Sequence, residues 1–143
     1  MACATELRPA MNKRSLTWGS AVLLIAVALG AFGAHGLKAR VGPEALAQWK
    51  TAVEYQVYHG LGLVLLAALA GRLPAKRVRI ISKLFMVGIL LFSGSIYLLA
   101  TREVFGTQAL TPVLGPVTPV GGLMFMAGWA VLFITAWRAA DDR

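Results

Sequence analysis

Residues 117–137, VTPVGGLMFMAGWAVLFITAW, run for 21 positions without a charged side chain. A helix crossing about 30 Å of hydrocarbon needs roughly 20 predominantly apolar residues, so Val117–Trp137 is long enough to span a bilayer on its own. Three further windows lie upstream: Leu16–Leu37, Ala52–Gly71, and Ile80–Ala100, the last with one Lys near its start. The whole chain has the same character. Of its 143 residues 58% are hydrophobic and only 14% charged, with a mean hydropathy of +0.71, against roughly 25% charged in soluble domains. Six acidic residues are too few to solvate a globular surface or a disordered tail. A soluble enzyme is thereby excluded. The expected fold is an all-α membrane protein, a four-helix transmembrane bundle (16–37, 52–71, 80–100, 117–137) between cytoplasmic tails 1–15 and 138–143.

The net charge of +8 comes from 14 Lys and Arg. In a soluble chain this would suggest nucleic acid; in a membrane chain it fixes orientation. Four crossings put Arg8, Lys13, Arg14, Arg72, Lys76, Arg77, Arg79, Lys83, Arg138 and Arg143 on one side, and Lys38, Arg40, Lys50 and Arg102 on the other. Ten against four places both termini in the cytoplasm. Trp18 and Trp137 then fall near the inner interface and Trp49 near the outer one, where aromatic anchors belong. The single cysteine, Cys3, excludes an intramolecular disulfide and any Cys-based metal site. The first window follows Lys13 and Arg14 like a signal peptide, but its length favours a retained helix. Met11, followed by Asn12, Lys13 and Arg14, resembles a bacterial start, so residues 1–10 read as an upstream extension.

The connections are short: Lys38–Thr51, Arg72–Arg79 and Thr101–Pro116. Pro43 suits a first helical position and Glu44 the positive end of a helix dipole, so the second helix is expected to begin outside the lipid. Thr111-Pro-Val and Thr118-Pro-Val echo each other seven residues apart. Thr118 and Pro119, as N-cap and first residue, are expected to open the fourth helix.

Lipid gives helices no hydrophobic reason to associate, so they must pack through small residues and interhelical hydrogen bonds. Ala26, Gly30 and Ala34 recur at i, i+4, widened by Gly33 and Gly36; Gly88 and Gly94, and Gly121, Gly122 and Gly128, supply counterparts. At 1.5 Å per residue, His35, Glu54 and Thr118 lie roughly 27 to 30 Å from the inner boundary, and His59, Ser95 and Tyr97 roughly 18 to 21 Å. The intramembrane polar groups thus gather in the outer half. Tyr55, Gln56 and His59 share one face of the second helix and Ser93 and Tyr97 one face of the third, both expected to turn into the bundle.

Ionisable groups in a membrane are costly and suggest function. His59 has two readings: a neutral donor to Ser95 or Tyr97 that holds helices together, or part of a proton or ligand site with Gln56, Ser95 and Tyr97. Glu54 either pairs with His35, Lys38 or Lys50 or lines a pocket open to the outside. Haem ligation by both histidines is awkward because their depths differ by roughly 9 Å. Zinc would want three or four ligands, with only His35, His59 and Glu54 on offer. No cofactor or metal is expected, and no nucleophile motif, phosphate loop or dinucleotide fingerprint occurs. GAFGAHG is Gly-rich but lies inside a hydrophobic helix, where packing explains it better than phosphate.

Four ordered motifs carry a resemblance. Gly30-Ala-Phe-Gly-Ala-His-Gly-Leu37, Trp49-Lys-Thr-Ala-Val-Glu-Tyr-Gln56 with His59, Leu91-Phe-Ser-Gly-Ser-Ile-Tyr97, and Thr118-Pro-Val-Gly-Gly122 with Gly128-Trp129 together resemble the YgdD-like family. These are small bacterial inner-membrane proteins related to eukaryotic transmembrane protein 256 and filed as a domain of unknown function. The resemblance covers about Trp18 to Trp137. It implies a four-helix membrane protein and leaves the biochemistry open.

The expected function is an integral inner-membrane accessory or structural subunit, not an enzyme, with a polar pocket in the outer half of the bundle. The alternative is a small transporter or channel in which His59 and Glu54 handle protons or a cation; membrane-embedded catalysis ranks third. The partners are the lipid bilayer and a membrane-protein partner or further copies of the chain, with no nucleic acid.

Overall fold

A computed structural model describes residues 12–141; Cys3, Arg8, the upstream extension 1–10 and Arg143 lie outside the described residues. Helix α1, Lys13–Phe32, starts where the Asn12 side chain accepts from the Ser15 amide and continues through a wide π-turn, Gly33–Leu37. Helix α2, Pro43–Ala68, starts after Gly42 with Pro43 and Glu44 in its first turn, as the cap chemistry predicts. A tight turn with Gly71 at φ 91° leads into α3, Ala75–Gly88. A second π-turn, Ile89–Ser93, joins α3 to α4, Gly94–Ala100, making one 26-residue rod. The short α5, Arg102–Phe105, stops at the left-handed Gly106, and a 3-10 turn, Gln108–Leu110, leads into α6, Thr111–Asp141. No strand forms among the described residues.

The start of α6 corrects one expectation. Thr111 and Pro112, not Thr118 and Pro119, open the helix, and Pro116 and Pro119 lie inside it. A proline ring within a helix removes one intrahelical bond and frees the carbonyl four residues back. Pro116 and Pro119 free the carbonyls of Pro112 and Gly115, the Thr118 hydroxyl lies 3.2 Å from the neighbouring Leu114 carbonyl, and Pro112, Pro116 and Pro119 are themselves exposed.

Contacts fix the arrangement. Gln56 bonds Val22 and Trp49 bonds Leu29, so α2 runs antiparallel to α1. Phe85 lies against Gly128, Phe125 against Gly88, and Gly121 against Phe92, so α6 runs antiparallel to the α3–α4 rod. Ser15 and Ser82 share a hydrogen bond of 2.9 Å, so α1 and α3 start at the same end. That end also holds Arg72, Lys76, Arg77, Arg79 and Lys83 and is the basic end of the bundle.

The main apolar core, Val22, Leu63, Leu66, Val78, Ile81, Phe85, Ile89 and Phe125, fills the half nearer the basic end; Leu37, Trp49 and Ala100 form a smaller core at the other. The outer surface is apolar as well, with Leu24 74% and Met126 68% exposed. Water would not tolerate so much of it. Lys13–Leu37, Ala75–Ala100 and Gln108–Ala139 are long and apolar enough to cross a membrane. Helix α2 has the length, 26 residues, but carries Lys50, Glu54, Gln56 and His59. Gln56 and His59 are buried where α2 packs against its neighbours, whereas Lys50 and Glu54 are exposed.

Candidate functional site

The buried face of α2 carries Trp49, Ala52, Gln56, His59, Leu63 and Leu66, spaced three or four residues apart so that they line one side of the helix. Gln56 sits at the junction of three helices. Its Nε2 donates to the Val22 carbonyl of α1 at 2.9 Å, and its Oε1 accepts from the Tyr97 hydroxyl of α4 at 2.8 Å. Two turns nearer the start of α2, the Trp49 indole donates to the Leu29 carbonyl at 2.9 Å and its ring packs on Tyr97, centroids 4.5 Å apart. Gly33 makes room for it, since a Cβ there would lie 2.6 Å from Trp49 Cδ1.

His59, also buried, is enclosed by aromatic rings. It stacks on Phe125 with centroids 3.4 Å apart and planes 10° from parallel, and meets Phe85 edge-on. The Trp129 indole donates to its Nε2 at 3.1 Å, and its Nδ1 lies 2.8 Å from the Tyr55 carbonyl. An indole N–H can only donate, so Nε2 accepts and Nδ1 carries the proton. Both ring nitrogens of a neutral histidine are thereby used.

Ser95 Oγ on α4 lies 2.7 Å from Thr118 Oγ1 on α6 and 2.9 Å from the Phe92 carbonyl; with one proton each, one hydroxyl donates across the pair and the other to a carbonyl of its own helix. Beyond this pair, away from the basic end, opens a cleft of about 340 Å³ among α2, the end of the α3–α4 rod and α6, with Gln48, Thr51, Arg102, Thr111 and Thr118 on its walls. Gln48 Oε1 is buried there without a hydrogen-bond partner, and so is Ser93 Oγ in the second π-turn.

The structure therefore divides the expected site residues. Gln56 and Tyr97 meet, and Ser95 and Thr118 meet. His59 bonds Trp129 rather than Ser95 or Tyr97, because the backbone bond to Tyr55 turns its ring towards α6. His35 and Glu54 are both exposed and join neither group. Tyr55, expected to face the bundle, is 38% exposed at its edge against Phe92. Of the packing residues, Gly33 and Gly121 make close approaches, to Trp49 and to the Phe92 backbone. Gly30, Gly94 and Gly122 meet only ordinary contacts, and Ala34 is exposed. Trp49 is a core residue, not an interfacial anchor. Sequence reasoning missed Trp129 as the partner of His59; its i+4 spacing from Phe125 was the available signal. Among the described residues no three His, Cys, Asp or Glu side chains gather as a metal site would require.

Apolar helices of spanning length, wrapped around a buried polar layer with interhelical bonds, define an integral helical membrane protein. The chain matches, over residues 29–122, the family described as "Protein of unknown function (DUF423)", and it belongs to that family. Relatives include a UPF0382 membrane protein of Staphylococcus haemolyticus, 38% identical over 84% of this chain and 92% of its own. The UPF0382 membrane protein YwdK of Bacillus subtilis is 40% identical over 82% and 91%. No solved structure matches the chain.

Proposed function

We propose that the chain crosses the bacterial plasma membrane four times, with both termini in the cytoplasm, and serves as an accessory or structural subunit. A crossing by α2 is supported by its antiparallel course beside α1 and by the partners its buried polar side chains find on other helices. The ten-to-four distribution of basic residues supports the orientation. Kinship with the YgdD-like proteins rests on the motifs quoted above, and these same stretches supply Trp49, Gln56, His59, Ser95, Tyr97, Thr118 and Trp129.

One observation carries the structural role: these seven side chains bond across helices and hold the bundle together, and of the seven Thr118 alone lies on the wall of the outer cleft. A partner side chain or small ligand would enter at the outer cleft, lined by Gln48, Thr51, Arg102 and Thr111. The transporter reading fits less well. Glu54 and His59 are five residues apart, about 140° around α2, one exposed and the other sealed.

Two experiments test this. With Cys3 replaced by Ser, Lys38→Cys and Gln108→Cys, both at exposed positions, should react with an impermeant maleimide from outside the cell, and Arg72→Cys only after the membrane is opened. Labelling of Arg72→Cys from outside would overturn the topology. Proteoliposomes should pass neither protons nor sodium ions, and a stoichiometric membrane partner should copurify; a flux abolished by His59→Gln would establish the transporter instead.

A further inference from the structure

Helices α1 and α3 meet at the basic end, where Ser15 in the first turn of α1 bonds Ser82, two turns into α3, at 2.9 Å. Both begin against their own electrostatics. The first turn of α1 holds Lys13 and Arg14, that of α3 holds Lys76 and Arg77, and neither has an acidic residue. Cations at the positive end of a helix dipole are destabilising, and an anion beside them relieves the cost.

Between these helices lies a cleft of about 770 Å³, within the roughly 300 to 1,000 Å³ of small-molecule sites. Its lining is graded. Arg14 and Arg79 stand at the mouth, Lys83 follows Arg79 one turn deeper, and Trp18, Met86 and Val87 line the wall beyond. Arg79, Lys83 and Val87 succeed each other at i, i+4, as do Arg14 and Trp18, so each helix face passes from cationic to apolar along its axis. Among the described lining residues three are cations and none is an acid. Arg14, Arg79 and Lys83 are all exposed.

We infer that this cleft binds an anionic glycerophospholipid, its phosphate held by Arg14, Arg79 and Lys83 and an acyl chain lying on Trp18, Met86 and Val87. Two guanidinium groups suit a phosphate's several oxygens. A zwitterionic headgroup would bring a further cation against three already present. A soluble phosphate would satisfy the mouth but leave the apolar wall uncovered. The inference rests on the membrane embedding and is independent of the accessory role and of which end faces the cytoplasm.

The test uses the full chain in phosphatidylcholine nanodiscs doped with brominated phosphatidylglycerol or, at equal mole fraction, brominated phosphatidylcholine. The difference in quenching between wild type and Trp18→Phe isolates Trp18. Phosphatidylglycerol should quench Trp18 several-fold more strongly, and Arg79→Gln with Lys83→Gln, each cation being worth about 1 kcal/mol at a membrane surface, should bring the two lipids to near-equal quenching. Arg72→Gln with Arg138→Gln, which removes equal charge at the same end but outside the cleft and both helix starts, should leave the preference unchanged, as should excess glycerol phosphate. Equal quenching by the two lipids overturns the site. So does an equal loss in both double variants, which would mean diffuse surface charge, or displacement by glycerol phosphate, which would mean a free-anion site. Far-UV circular dichroism and melting of each variant separate loss of binding from loss of fold.

Discussion

The Trp129 indole donates to Nε2 of His59 at 3.1 Å, across the interface between α6 and α2, and this contact fixes the histidine as a neutral acceptor. Trp129→Phe keeps an aromatic ring beside Phe85, 4.9 Å away in the native packing, and removes only the donor. Interhelical hydrogen bonds in membranes contribute about 0.6 kcal/mol on average and up to about 1.7. The variant should lose stability in that range in detergent unfolding titrations. Replacing both partners, with His59→Leu added, should recover part of the loss, because an apolar pair leaves no buried acceptor unsatisfied. A double variant weaker than the sum of the singles would show that His59 stabilises through its stacking on Phe125.

Gln56 joins α1, α2 and α4, so its loss should exceed that of either partner. Tyr97→Phe removes one bond and should cost about 1 kcal/mol; Gln56→Leu removes two and leaves the hydroxyl of the half-buried Tyr97 without its acceptor. A double-mutant cycle on the pair should give a coupling of at least about 0.5 kcal/mol. Strict additivity would mean that the 2.8 Å contact contributes nothing to the fold.

Gly121 and Gly122 are neighbours with different duties. A Cβ on Gly121 would press on the Phe92 backbone, whereas one on Gly122 would meet the Phe92 ring at 3.8 Å, an ordinary contact. Gly121→Ala must push α6 away from the rod and should destabilise by about 1 to 3 kcal/mol. Gly122→Ala should be neutral or stabilising by up to about 1 kcal/mol, since Ala is the better helix former. Melting of the two variants in the same detergent checks both.

How much of this was legible in the sequence varies with the kind of signal. Long apolar windows report helices directly, because backbone groups in hydrocarbon have few other ways to be satisfied. Pro43 and Glu44 reported the start of α2 because cap chemistry is local. Thr118 and Pro119 misled because Thr111 and Pro112 offer the same chemistry one echo earlier, and local signals cannot choose between equals. Trp49 misled because its place near a helix end suggested an anchor, while its membership of the Trp49, Ala52, Gln56, His59 stripe pointed to the bundle. Which bonds His59 makes could not be read at all. They depend on the angle at which α6 meets α2, set by Gly121, Gly128 and the rings around them.

Ser93 offers the opposite case to its neighbour Ser95. Its hydroxyl is fully buried in the π-turn and bonds nothing, while Ser95 holds Thr118 at 2.7 Å. A buried hydroxyl without a partner loses its hydration for no return. Ser93→Ala should therefore raise stability by about 1 kcal/mol, helped by the helix propensity of Ala, whereas Ser95→Ala should lower it by a similar amount and leave the Thr118 hydroxyl with only the Leu114 carbonyl. Parallel melting curves of the two variants decide the matter. If Ser93→Ala proves as harmful as Ser95→Ala, its hydroxyl must be bonding a water or small molecule held in the π-turn. That turn would then be a binding feature rather than a packing adjustment.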